Sequence, residues 1–119
     1  MHNFKELKVW QKAVNFAVRI YQVTVSFPSE EKFGLTSQLR RASVSIPSNI
    51  AEGSARTSKK AFANSLEISL GESFEIETQM EIAKRIGLLP EDQMSELNVD
   101  LSEIQKMLVG LKTSLGSVT

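Results

Sequence analysis

Cysteine is absent from the 119 residues, and that alone removes disulfides, thiolate zinc sites and cysteine nucleophiles. The absence fits a reducing compartment. Histidine occurs once, at His2, so neither a serine triad nor a histidine metal site can be assembled within the chain. No apolar run approaches the roughly 20 residues that a membrane span needs. The opening "MHNFKELKVW" is charged within its first residues and lacks the apolar core of a signal peptide. A Walker loop and a Gly-rich dinucleotide fingerprint are both missing. These absences predict a soluble, cytoplasmic protein with no catalytic residues, no cofactor and no metal. The length predicts one domain, residues 1–119.

What is present is charge, unevenly placed. Residues 1–60 hold 10 Lys+Arg against 4 Asp+Glu, a net +6, and residues 61–119 hold 4 against 10, a net −6. Such asymmetry suits a basic face for an anionic partner; equally, the two halves can pair with each other, within a subunit or between subunits.

Four segments show helical periodicity, and none shows strand alternation. Over residues 5–27, Leu7, Trp10, Val14, Ala17 and Tyr21 form one apolar row, with Val9, Ala13, Phe16, Ile20, Val23 and Phe27 beside it. Together they cover about 200° of the helix, about twice the minimum stripe of a surface helix. "FPSEE" should end it and start a new turn at Ser29. In "GLTSQLRRASVSIPSNIAEGSAR", Leu39, Ser43, Ile46 and Ile50 share a face, while Pro47 cannot donate to the Ser43 carbonyl and predicts a kink. Gly53 reads as its stop.

Thr57 or Ser58 can cap a third helix that reaches about Ile86 before "GLLP" closes it. It carries one row of Phe62, Leu66, Leu70 and Phe74, a second of Ile76, Met80 and Ala83, and Ile68, Ile82 and Ile86 on another side. Gly71, alone within it, reads as a point of close packing. From Glu91 to Leu115, the residues Met94, Leu97, Leu101, Ile104, Leu108, Leu111 and Leu115 alternate steps of three and four, a narrow heptad seam. The pattern predicts an all-α antiparallel four-helix bundle with a Pro-kinked second helix. Helices apolar on several sides predict a homo-oligomer, since soluble monomers rarely expose such patches.

The candidate functional residues are basic. Lys5, Lys8, Lys12 and Arg19 share a face about 60° wide, opposite the apolar rows. Such a stripe can follow a phosphate backbone, or it can simply keep the helix solvated. Arg40 flanks the apolar row of the second helix and can pair with Glu72 or Glu75, within or across subunits, whereas Arg41 points away from it. Lys59 and Lys60 open the third helix, where the helix dipole disfavours cations and an anion would relieve the mismatch. The glutamate pairs Glu72/Glu75 and Glu77/Glu81 lack the histidines of a helix-bundle di-metal site and read as solvated or salt-bridged acids.

"LKVWQKA", "FPSEEKFGLTSQLRRASVSIPSNIAEG" and "SLEISLGESFEIETQMEIAKRIGLL" resemble the bacterial four-helix bundle proteins encoded in 23S rRNA intervening sequences. That family is similar in turn to the accessory variability determinant proteins of diversity-generating retroelements, which form helical rings, usually pentamers. The resemblance implies a homo-oligomeric, non-enzymatic bundle, with RNA or DNA and a nucleic-acid-processing protein as partners besides other copies of itself. Arg40 and Arg41 match the family's arginine pair, and Lys5, Lys8 and Lys12 its basic first helix. One departure is Ala61, three residues after Ser58, where the family often has an acid. A protein-interaction scaffold without nucleic-acid binding is the alternative reading.

Overall fold

The computed structural model describes residues 3–116. Their regular structure is helical, with no strand among them. A short 3-10 turn, Phe4–Glu6, is capped by Asn3, whose side chain accepts from the Lys5 amide. Leu7 is extended and breaks this turn from α1, Lys8–Thr24. Helix α1 is therefore shorter at both ends than the apolar rows suggest. Beyond it, Pro28 caps the 3-10 turn Ser29–Glu31, the new turn expected after "FP".

Helix α2, Leu35–Ser54, runs through Pro47 without a break. Its buried face is Leu39, Ala42, Ser43, Ile46, Pro47 and Ile50. The Ser48 hydroxyl donates to the Val44 carbonyl, at 2.8 Å, rather than to the carbonyl that Pro47 frees. Gly53 is not the stop. It lies inside the helix, buried, because a Cβ there would stand 2.5 Å from that of Ser65 in α3. The glycine brings two backbones together, and the helix runs on to Ser54, with Ala55 as its C-cap.

Helix α3, Lys59–Arg85, is capped by Ser58, whose hydroxyl accepts from the Ala61 amide at 2.9 Å. At its other end Gly87 adopts φ +85°, a left-handed conformation that glycine takes without steric cost. Helix α4, Glu91–Ser114, begins after Pro90 and places Glu91 and Asp92 in its first turn, where the dipole favours acids.

The four helices pack as an antiparallel bundle in which α2 lies against α1 and α3, and α4 closes the square between α3 and α1. The bundle is elongated, 44 × 24 × 23 Å. Its core takes one apolar row from each helix: Val9, Ala13, Phe16 and Ile20; Leu39, Ala42, Ile46 and Ile50; Leu66, Ile76, Met80 and Ala83; Leu97, Leu101, Ile104 and Leu108. On α3 the row of Phe62, Leu66, Leu70 and Phe74 does not stay inside. Steps of four advance about 40° past a full turn each time, so Leu70 is half-buried and Phe74 is exposed. Gly71 is not a packing point within the subunit either, since a Cβ there would meet nothing within 4 Å. No helix of the described residues is long and apolar enough to cross a membrane.

Candidate nucleic-acid interface

The six basic residues singled out from the sequence fall in three places. Lys12 and Arg19 border α4, not open solvent opposite the core. Lys12 pairs with Glu103 at 3.1 Å, and Arg19 with Glu96 at 3.1 Å and Asp100 at 3.4 Å. The acids sit at steps of four and three on α4, so the two charged rows close along the α1–α4 seam. Part of the charge asymmetry between the halves is thus spent inside the subunit.

Arg40 does not meet Glu72 or Glu75. Its Nε donates to the Thr24 hydroxyl at 2.9 Å and its guanidinium lies 4.7 Å from the centre of the Tyr21 ring, a cation–π contact. Thr24 is buried and donates in turn to the Ile20 carbonyl at 2.7 Å, which orients it to receive Arg40. Arg41, one residue on, is exposed and is the cation whose field reaches Glu72. Arg40 thereby ties α2 to the end of α1.

Lys5 and Lys8 remain, and they find company that a linear reading separates from them. The antiparallel order brings the start of α1, the end of α2 and the start of α3 to one end of the bundle. The turn carrying Lys5 packs against α2. Arg56 in the α2–α3 connection and Lys59 and Lys60 at the start of α3 lie at that same end. All five are exposed, and among the described residues none is in an ion pair. Nearby, Lys112 at the end of α4 pairs with Glu67. Lys59 and Lys60 stand in the first turn of α3, where unpaired amides and the positive end of the dipole already favour an anion. The opposite end is mixed: Glu30, Glu31, Glu91 and Asp92 fall there with Lys32, Lys84 and Arg85, and Lys84 is held to Glu91 and Arg85 to Glu81. The signal for the basic end was the spacing of charges modulo the bundle topology, which a helix-by-helix stripe does not capture.

Of the acids, Glu77 accepts from the Gln105 side chain at 2.6 Å. Glu72 is different. Burial holds its carboxyl above the usual range, the neighbouring charge of Glu75 and a hydrogen bond between the two add to this, and Arg41 only partly opposes it. One of its oxygens, Oε2, is buried without a donor. Among the described residues no group of three potential ligands could hold a metal ion.

A carboxyl whose folded-state pKa is raised stabilises the fold fully only below its unfolded value near 4.5, and loses that contribution as pH rises through the raised value. At pH 7 Glu72 is therefore a net cost. Glu72→Gln removes the charge and adds a donor toward Glu75. It should raise Tm at pH 7 by ~1–3 °C, a gain that shrinks as the pH falls toward 4. Thermal melts of both proteins across that range check it; an unchanged or lowered Tm at pH 7 contradicts it.

Two comparisons bear on the chain as a whole. The model of the family described as 23S rRNA-intervening sequence protein matches residues 5–110. A crystal structure of a protein of unknown function from the S23 ribosomal protein family of Bacteroides thetaiotaomicron superimposes with a TM-score of 0.82. The two share 33% identity over 88% of this chain and 95% of the other. No curated protein matches. The matched span takes in all four helices, from Lys5 to within the last turns of α4. This chain belongs to the 23S rRNA-intervening sequence protein family.

Proposed function

We propose that this protein is a non-enzymatic, homo-oligomeric helical bundle that associates with RNA through the basic end formed by Lys5, Lys8, Arg56, Lys59 and Lys60. The observation that carries the reading is that these five exposed cations gather from three elements with no carboxylate partner among the described residues, while Lys12 and Arg19 are neutralised along the seam. The family's description, tied to an intervening sequence of 23S rRNA, supports RNA as the polyanion. Each phosphate neutralised releases a counterion, so four or five contacts predict a log–log salt slope of about −3 to −4.

Fluorescence anisotropy with a structured RNA, titrated from low to moderate salt, tests this. Lys59→Glu with Lys60→Glu should weaken binding at least about tenfold and flatten the slope by about 2. The second reading is a protein-interaction scaffold, favoured by the internal pairing of Lys12 and Arg19. Absence of RNA binding at low salt would select it.

The same proposal holds that copies close into a ring, a pentamer, with α2 bent at Pro47 toward its neighbour. Exposed apolar side chains on two sides of the bundle support assembly. Light scattering after size exclusion measures it: a mass of 13.2 kDa means a monomer and rejects assembly, while a dimer or trimer rejects only the pentamer.

A further inference from the structure

We infer that the apolar groove between α1 and α2 of one copy receives the outward crest of α3 from a second copy, with Arg40 at the groove mouth facing Glu75 of the crest. The inference rests on the homo-oligomeric part of the proposed function and assigns its interface. The groove has a volume of about 650 Å³, a floor of the small residues Ala17, Pro47 and Ala51, and walls that include Val18, Tyr21 and Val44. On α3, Ile68, Phe74 and Ile82 project along an outer face that no other helix of the subunit covers. Each of these wall and crest side chains keeps between 42% and 52% of its surface open. Soluble chains rarely leave two such faces unpartnered.

Size and charge match the two faces to each other. The groove runs from Trp10 to Tyr21, ~17 Å of helix, and the crest from Ile68 to Ile82, ~21 Å. Gly71 lies within the crest, three residues from both Ile68 and Phe74. A glycine disfavours a helix, and nothing in its own subunit approaches it. Close approach by a neighbouring helix supplies the missing reason.

The electrostatics exclude groove against groove. Arg40 has no carboxylate partner among the described residues, and two facing grooves would set two Arg40 guanidiniums against each other. The crest offers the opposite sign. Glu75 has no ion pair among the described residues, and Glu72 Oε2 and Gln79 Oε1 are buried acceptors without a donor. Gln79 is only 8% exposed, and it lines the hollow beside Phe74 and Ile82. Buried acceptors left open beside an exposed apolar crest are what an uncovered interface looks like. A groove that takes a crest is a heterologous contact, which closes into a ring when its rotation allows.

Complementation of faces tests the assignment. Val44→Asp spoils the groove and Phe74→Asp spoils the crest, and Val18→Asp is a second groove variant should Val44→Asp fail to fold by circular dichroism. Both side chains are half-exposed, so the folded monomer tolerates them. Each variant alone should show the monomer mass by light scattering. An equimolar mixture should give a one-to-one dimer, the intact crest of one seated in the intact groove of the other, and nothing larger. Four outcomes overturn the inference: wild-type mass retained by Phe74→Asp, wild-type mass retained by the groove variants, no dimer on mixing, or a monomeric wild type. Only the last also overturns the homo-oligomeric reading on which this rests.

Discussion

Gly53→Ala should lower stability by about 1–3 kcal/mol, the range for forcing an extra methyl into a close-packed contact, with a fall in Tm of roughly 5–15 °C. The new Cβ would stand 2.5 Å from Ser65 Cβ, 2.9 Å from its Oγ and 3.0 Å from a ring carbon of Phe62. Two of these atoms belong to a short side chain anchored on the α3 backbone, so relief requires α2 and α3 to separate. These helices form the most extensive contact in the bundle, and the strain would spread to Ile46, Ile50, Phe62 and Leu66. The Ser69 hydroxyl, which reaches across to the Ile46 carbonyl at 2.9 Å, would lose its partner as the helices part. Gly110→Ala is the matched control. It too lies inside a helix, but its Cβ would meet nothing within 4 Å. Better helix propensity alone should then stabilise it, by up to about 1 kcal/mol. Chemical denaturation of the two variants at one protein concentration, so that any assembly contributes equally, should give shifts of opposite sign. Equal and small shifts would mean that the α2–α3 contact yields without cost.

The contrast between these glycines also marks what a sequence can and cannot disclose. Gly53 followed by Ser54 at the end of an apolar pattern has the look of a helix stop. Its buried role depends on Ser65, twelve residues away, and on the register in which α2 meets α3. Gly71 shows the converse, a glycine inside a helix at which a Cβ would meet nothing within 4 Å. Where a feature is carried by one helix, the periodicity discloses it: the α4 seam, the Ser58 cap and the closure at Gly87 all follow local rules. That Arg40 meets neither Glu72 nor Glu75 within its own subunit has a different ground. Its position beside the apolar row was right, but a hydroxyl from Thr24 and the ring of Tyr21 lay nearer than any acid.

The basic candidates show the same boundary. Lys5, Lys8, Lys12 and Arg19 share an angular face only if one helix runs through all four. Leu7 is extended and breaks that helix. What replaces the stripe is a gathering of Lys5 and Lys8 with Arg56, Lys59 and Lys60, about fifty residues distant. The antiparallel bundle implied it, because the order of four helices with short connections already places those segments at one end. The pairing of Lys12 and Arg19 with α4 did not follow from topology alone. It needed the angular register of α1 against α4, which side-chain packing sets.

The narrow seam of α4 supplies the second large effect. Leu101→Ala should cost about 2–5 kcal/mol, since it removes a fully enclosed side chain and leaves a cavity that the rigid flanks cannot refill. Leu97, Leu101, Ile104 and Leu108 are each at most 1% exposed, and Leu101 lies midway along the bundle. Its neighbours come from helices already close-packed on one another, so collapse around the void is limited. Leu111 belongs to the same heptad pattern but sits one turn from the open end and is only half-buried. Leu111→Ala should therefore cost less than half as much, because solvent already occupies part of the space it would vacate. A seam that stabilised only through its periodicity, as an isolated amphipathic helix does, would make the two substitutions equivalent. Enclosure by α1, α2 and α3 makes them differ. Urea unfolding of both variants measures that difference directly, and equal midpoints would show that Leu101 is no more enclosed than Leu111.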